Sequence, residues 1–223
     1  MAGGVLACAL ATLLAPAQGL ATSTGLNNIP TADTPGHRQI VFQGFVNLTD
    51  EKQADLFIGF KTGLQFSEHR FEFGADGRLG EGEPSAVVFQ AKYAIQPWED
   101  LPAFAIGAAN IAVTPTDRDK VGQAFKFGVI SHDFGWFRAH AGYGLQQNNN
   151  AAFFGLDKTI QVFERDMMLR FDLIQIDDEE QWLGSAGFIY FLHKHVAVES
   201  WISQPFEHGE PTFTLKLNLI FEF

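Results

Sequence analysis

Apolar and polar residues alternate one by one along most of this chain. The pattern is clearest in the last twelve residues, where six apolar side chains share one face of an extended strand. The six are Phe213, Leu215, Leu217, Leu219, Phe221 and Phe223. Because successive side chains of a strand point to opposite faces, this period predicts strands with one apolar face. No helical period of useful length occurs, so the sequence predicts an all-β fold.

The same alternation recurs upstream and predicts twelve strands. Their expected positions are 39–48, 54–65, 68–75, 84–96, 101–112, 122–132, 136–146, 151–161, 165–175, 181–192, 195–204 and 212–223. The segments 101–112 and 151–161 show the weakest pattern, since neither face of the first is clearly polar. The alternative is ten strands, in which 68–75 and 151–161 are loops.

Alternation alone does not say which way the apolar face is turned. A soluble barrel buries this face, whereas a membrane barrel turns it toward lipid and lines its lumen with polar side chains. The predicted connections are longer after odd-numbered strands than after even-numbered ones, as in outer-membrane barrels. Aromatic residues also lie near predicted strand ends: Tyr93, Trp98, Trp136, Tyr143, Trp182 and Tyr190. These patterns favour a transmembrane antiparallel up-and-down β-barrel over the alternative, a secreted soluble β fold.

Composition excludes several classes of protein. The chain has 223 residues, including 23 Phe and 22 Gly, and 46% of its residues are hydrophobic. That apolar content rules out a disordered chain. The formal net charge is −11 and the 15 Lys and Arg residues are scattered, which argues against nucleic acid as a partner. No segment after residue 21 has the length and apolar character of a membrane-spanning helix.

The first 21 residues contain no charged side chain and combine an apolar run with small residues. This is typical of a secretory signal peptide. A lipoprotein cleavage box ending at Cys8 is the alternative, although almost no apolar run precedes it. We therefore predict a signal peptide at 1–21, a periplasmic N-terminal segment at 22–37 and the barrel at 38–223. Segment 22–37 could enter the lumen, and the mature chain would contain no Cys for disulfides or thiol chemistry.

Catalytic and metal-binding patterns are weak. Residues 131–133, Ser-His-Asp, supply the residue types of a hydrolase triad, but neighbours on a strand point to opposite faces and cannot form a relay. His193 and His195, and the acidic run 177–180, are conceivable cation ligands. Solvated turns and loops explain both better. We predict no enzyme activity, no catalytic residue, no metal site and no cofactor.

The function of a barrel would lie in its lumen, toward which the polar faces point. The predicted lumen-lining residues are Asp55, Lys61, Arg70, Glu72, Lys92, Lys126, Arg138, His140, Arg170, Asp172, Glu199, Lys216 and Glu222. Both signs of charge occur in similar numbers. Such charges must be hydrated or paired, because an isolated buried ion is costly. A hydrated interior gives a narrow channel, and a paired interior gives a closed structural barrel.

Two short segments resemble known outer-membrane proteins. The strand that contains Leu217, Leu219, Phe221 and Phe223 is similar to the last strand of bacterial outer-membrane barrels, which ends in Phe. The resemblance implies that these four residues form the signal recognised by the outer-membrane assembly machinery. Residues 24–33, TGLNNIPTAD, resemble the start of YjbH-type barrels associated with exopolysaccharide production. There a Gly-Leu-x-Asn-x-Pro-Thr-Ala stretch precedes the first strand.

These patterns together predict export, through a cleaved signal peptide, to the bacterial outer membrane. The expected function is a narrow porin-like channel for small solutes. The alternative is a non-conducting structural or envelope-assembly barrel, which the second resemblance would link to exopolysaccharide. The expected partners are outer-membrane lipid, lipopolysaccharide and the assembly machinery.

Overall fold

Twelve antiparallel strands account for most of the described chain. A computed structural model describes residues 24–49, 54–79, 86–98, 100–115, 123–146, 149–176, 181–207 and 209–223. The strands are β1 (Gln39–Leu48), β2 (Ala54–Phe66), β3 (His69–Leu79), β4 (Val87–Ile95), β5 (Ala103–Ala112), β6 (Phe125–Asp133), β7 (Arg138–Gln146), β8 (Asn149–Val162), β9 (Arg165–Gln175), β10 (Trp182–His193), β11 (Val196–Pro205) and β12 (Thr212–Glu222). The prediction of twelve strands is confirmed, and the ten-strand alternative is wrong.

The strands form one closed sheet. Each strand pairs with its neighbours in sequence, and β1 pairs with β12, so that Gly44 lies opposite Leu217. Closure gives every strand a partner on both sides and removes the unpaired edges through which open sheets associate. The fold is therefore the predicted antiparallel up-and-down barrel. No helix among the described residues is long and apolar enough to cross a bilayer.

The outer face of the barrel carries the apolar half of the alternating pattern. Its exposed large apolar side chains include Phe42, Ile58, Phe60, Phe73, Phe89, Phe104, Ile106, Phe154, Leu169, Phe188, Ile202, Leu215, Leu217 and Leu219. Trp98 and Trp136, which are 69% and 70% exposed, lie in the connections after β4 and β6 at one end of the barrel. An apolar belt with aromatic residues at its rim is the surface that membrane barrels present to lipid.

The residues that precede β1 lie inside the barrel. Residues 24–36, here called the N-terminal hairpin, fold back on themselves. The Leu26 N–H donates to the Ile29 carbonyl at 3.0 Å, and the Thr31 N–H donates to the Thr24 carbonyl at 3.3 Å. The hairpin forms hydrogen bonds with side chains of β3, β4, β6, β7, β9, β10 and β11. Because these strands surround it, the hairpin occupies the lumen.

Two placements differ from the sequence-based expectation. The third strand, predicted to end at residue 75, continues to Leu79, so Asp76 is buried within β3 and does not lie in the connection that follows it. On β6, Phe127 and Val129 are buried on the inner face, whereas Lys126 is exposed on the outer face. The reason is the hairpin, whose apolar side covers the inner face of β6 and gives these residues an apolar partner inside the barrel.

Candidate functional site in the barrel lumen

The N-terminal hairpin has an apolar side that packs against one half of the barrel wall. Leu26, Ile29 and Ala32 contact buried residues of β4, β5, β6 and β8, namely Ala94, Ala103, Ala105, Phe127, Val129 and Phe153. Glycine permits this approach on β8. A Cβ added to Gly155 would lie 2.4 Å from Leu26 Cδ1 and 2.7 Å from Ile29 Cδ1. A side chain at this position would therefore displace the Leu26 and Ile29 side chains from the wall.

The tip of the hairpin is held by polar side chains of β9, β10 and β11. The Asp172 carboxylate accepts hydrogen bonds from the backbone N–H groups of Asn27 at 2.8 Å and Asn28 at 3.2 Å. The Asn28 side-chain amide donates to Ser203 Oγ at 2.8 Å and also to Ser185 Oγ. These bonds satisfy donors that would otherwise be unpaired in the interior, where an unmade hydrogen bond is destabilising.

Lys92 on β4 joins the two arms of the hairpin. Its Nζ donates to the carbonyl oxygens of Thr24 at 2.7 Å and Thr31 at 3.2 Å. The same Nζ lies 3.1 Å from Glu72 Oε2, and Glu72 Oε1 accepts the Thr24 N–H at 2.7 Å. Both charged side chains are buried, and each is paired and hydrogen-bonded. This is the condition under which folded proteins tolerate buried ions.

Arg138 on β7 connects the hairpin to β8. Its Nε and Nη2 donate to the two carboxylate oxygens of Asp157 at 2.9 and 2.7 Å, and its Nη1 donates to Asp33 Oδ1 at 3.1 Å. Burial raises the pKa of the Asp33 carboxyl, but the attraction of Arg138 outweighs burial, so this pKa lies below its usual value of 3.8. At neutral pH the hairpin therefore contributes a carboxylate that is paired with the wall.

Ser131, His140 and Asp157 form a hydrogen-bonded chain that the sequence did not reveal. His140 Nδ1 lies 2.7 Å from Ser131 Oγ, and His140 Nε2 lies 3.0 Å from Asp157 Oδ2. The three residues come from the adjacent strands β6, β7 and β8, so no short spacing in the sequence marks them. Ser131 Oγ also accepts the Ala32 N–H at 2.9 Å, and all three residues are buried. In this structure these three hydrogen-bonded residues anchor the hairpin.

Between the hairpin and the opposite wall lies a cavity of 410 Å³. Four cationic side chains and two carboxylates line it: Lys61, Arg138, Arg170, Lys216, Asp33 and Glu199. Glu199 accepts hydrogen bonds from Arg170 at 2.7 Å and from Asn218 at 2.6 Å, and it lies 3.4 Å from Lys216 Nζ. A pocket with a few charged groups and apolar walls can hold a small polar solute. In the described ranges, no three His, Cys, Asp or Glu side chains are placed to hold a metal ion.

Most of the predicted lumen residues have buried side chains on the inner face. These are Lys61, Glu72, Lys92, His140, Arg170, Asp172, Glu199 and Lys216. Arg138 and Arg70 are partly buried, and Arg70 donates to Gln96 at 3.3 Å. Glu222 is exposed at the end of β12, Lys126 lies on the outer face, and the side chain of Asp55 is outside the described part.

Several inner-face residues were missing from the sequence-based set. They are Asp33, Gln43, Asp76, Gln90, Asp157, Ser185, Ser203 and Asn218. Uncharged polar residues carry a weak alternation signal, and Asp157 lies in a strand whose pattern was weak. Leu217, Leu219 and Phe221, predicted as part of the assembly signal, are exposed on the outer face of β12, and Phe223 follows the strand.

No family model and no curated protein sequence matches the chain. The fold is similar to that of solved porins. The KdgM porin aligns with a TM-score of 0.59 at 7% identity, over 82% of this chain and 99% of the porin. The KdgM porin in complex with disordered oligogalacturonate aligns with a TM-score of 0.56 at 6% identity, over 83% of this chain and 99% of the porin. The NanC porin aligns with a TM-score of 0.52 at 8% identity, over 81% of this chain and 98% of the porin. The chain is thus a twelve-stranded closed β-barrel whose fold resembles that of bacterial outer-membrane porins.

Proposed function

We propose that this protein is a bacterial outer-membrane channel that passes small hydrophilic solutes through a lumen narrowed by the N-terminal hairpin. The proposal rests on two features of the barrel interior, its cavity and its unbound polar atoms. A charged cavity of 410 Å³ lies in the same lumen as buried polar atoms that no described residue binds.

These unbound polar atoms favour a hydrated lumen. Neither polar atom of the Asn27 side chain, and neither of the Gln90 side chain, has a hydrogen-bond partner among the described residues. The same holds for Gln43 Oε1 and Asp172 Oδ1. Buried polar atoms almost always bind a partner, and water fills that role where protein groups do not. A lumen of this kind suits water and polar solutes better than a solid structural core.

The outer face and the fold support an outer-membrane location. The exposed apolar belt would contact lipid and lipopolysaccharide, and the similar solved structures are porins. In this proposal residues 1–21, which lie outside the described residues, direct export and are removed. The exposed face of the last strand, with Leu217, Leu219, Phe221 and Phe223, is then bound by the assembly machinery.

The second candidate is a non-conducting barrel with a structural or envelope-assembly role linked to exopolysaccharide. The dense contacts of the hairpin favour it, because Asp172, Lys92 and Arg138 together fix the hairpin across the lumen. A barrel filled in this way could serve as a scaffold.

Conductance in a planar lipid bilayer separates the two candidates. We expect residues 22–223 to give discrete conductance steps, and a variant that lacks residues 24–36 to give larger steps, because the deletion removes the hairpin from the lumen. Circular dichroism and heat-dependent gel mobility would check that both proteins form barrels. If both are folded barrels and neither conducts, the channel is excluded and the structural barrel is favoured.

A further inference from the structure

Lys61 is a buried cation with no ion-pair or hydrogen-bond partner among the described residues. It lies on the inner face of β2 with only 6% of its surface exposed, and its side chain lines the 410 Å³ cavity. It forms no salt bridge and no hydrogen bond with any described residue, whereas Lys92 and Lys216 each have a carboxylate partner. An ammonium group in a protein interior is strongly unfavourable unless it is paired or hydrated.

The carboxylates that act electrostatically on Lys61 each contact another group, although Asp76 does so through Oδ1 alone and its Oδ2 has no hydrogen-bond partner among the described residues. These carboxylates are Glu72, Asp76 and Glu199. Their partners are Lys92 for Glu72, Gln43 for Asp76, and Arg170, Asn218 and Lys216 for Glu199. The wall therefore supplies no counter-ion in direct contact with Lys61. The group that pairs with Lys61 or hydrates it therefore comes from the cavity.

We propose that this cavity is a binding site for a small organic oxyanion, and that Lys61 supplies the positive charge that binds its carboxylate or phosphate oxygens. The inference deepens the proposed function and rests on it. Four cationic side chains face only two carboxylates across the cavity, although the whole chain carries a net charge of −11. Arg170 Nε also has no hydrogen-bond partner among the described residues, so the wall leaves a second donor of this part of the lumen unpaired.

The other walls of the cavity indicate that the anion has a carbon skeleton. Trp201, Met168 and Ile189 contribute apolar surface to the cavity on β9, β10 and β11. The Arg170 guanidinium lies 6.0 Å from the centroid of the Trp201 ring, which places a cation and an aromatic ring side by side. Ligand sites of this type combine apolar walls with a few charged groups that fix orientation. The site therefore suits an organic anion better than a bare inorganic ion.

Isothermal titration of the detergent-solubilised protein tests the site directly. The probes are gluconate, inorganic phosphate and sorbitol, of which sorbitol is the uncharged analogue of gluconate. We expect gluconate to bind more tightly than sorbitol, and Lys61→Gln to weaken gluconate binding about tenfold or more, because a charge-assisted hydrogen bond is lost. Lys61→Arg should retain binding. Lys126→Gln removes the same charge from the outer face and should leave binding unchanged. If phosphate binds with the same affinity as gluconate, the inference that the bound anion has a carbon skeleton is wrong.

Reversal potentials in a KCl gradient give an independent measurement. The wild type should favour chloride over potassium, and Lys61→Gln should reduce this preference while Lys126→Gln does not. If the barrel does not conduct but gluconate binding depends on Lys61, the channel function fails and the anion site stands. If the barrel conducts, and the Lys61→Gln variant matches the wild type in both gluconate affinity and selectivity, the site is wrong and the channel stands.

Discussion

Gly155 shows how one inward position determines the content of the lumen. Its missing side chain leaves room for Leu26 and Ile29, while neighbouring inward positions carry the large ring of Phe153 and the charge of Asp157. Phe153 and Gly155 therefore give the hairpin apolar contact and room, whereas Asp157 acts on it indirectly, through Arg138, which binds Asp33 of the hairpin.

We expect Gly155→Val to displace the hairpin without unfolding the barrel. A Cβ here would overlap Leu26 and Ile29, which belong to the hairpin and can move away from the wall. Hydrogen exchange followed by mass spectrometry should show faster exchange in residues 24–36 and unchanged exchange in the strands. Gly128→Val is the control, since nothing lies within 4 Å of a Cβ added there. Equal exchange of the hairpin in both variants would contradict the contact.

Among the elements, the turn between β8 and β9 carries backbone strain. Phe163 and Glu164 have φ values of 49° and 61°, as the two-residue turn of a β-hairpin requires. Residues with a Cβ are disfavoured in this conformation by roughly 1–2 kcal/mol, whereas glycine is not.

We therefore expect Glu164→Gly to stabilise the barrel by about 1 kcal/mol. The midpoint of urea unfolding in lipid vesicles would measure the gain. Lys194→Gly, in the two-residue turn after β10, is the matched control, because φ at Lys194 is not positive. Glycine there should lower the midpoint, since it adds only flexibility to the unfolded chain. A lower midpoint for Glu164→Gly as well would show that the strain is absent.

Strands β5 and β6 show how much of the architecture the sequence predicts. Alternation located both strands to within a few residues, because period two depends only on strand geometry. It did not predict which face of β6 points inward, and Lys126 was assigned to the wrong side. Both faces of β5 are largely apolar, and on β6 the inner face carries Phe127 and Val129, which the hairpin covers, while Lys126 lies on the outer face. Which segment fills a lumen depends on packing between residues far apart in sequence, and the alternation within one strand does not predict such packing.

At the scale of the whole molecule, the direction of the apolar belt distinguishes this barrel from a soluble one. Leu217 at the middle of β12 is exposed on the outer face, and its neighbour Lys216 is buried on the inner face beside Glu199. Arg on the lipid face near the bilayer midplane costs roughly 2–4 kcal/mol.

We expect Leu217→Arg to reduce folding into lipid vesicles strongly, and Lys216→Gln to reduce it much less. Glu199 keeps Arg170 and Asn218 as partners in the second variant, so no carboxylate is left unpaired. The fraction of heat-modifiable barrel on gels after refolding would measure the difference. Equal losses for the two variants, or folding of the wild type in buffer without lipid or detergent, would contradict the membrane orientation.

The closure of β12 onto β1 also sets the order in which the molecule can assemble. Thr214 Oγ1 donates to Asn47 Oδ1 across 167 positions of sequence, and Asn28 reaches Ser203 across 175. Contacts of this sequence separation form late, because a long loop must close before they contribute any stability. Closure of the barrel and docking of the hairpin must therefore occur at nearly the same stage of folding. A chain that stops before β11 would be an open sheet with two bare edges and an undocked hairpin, rather than a narrower barrel.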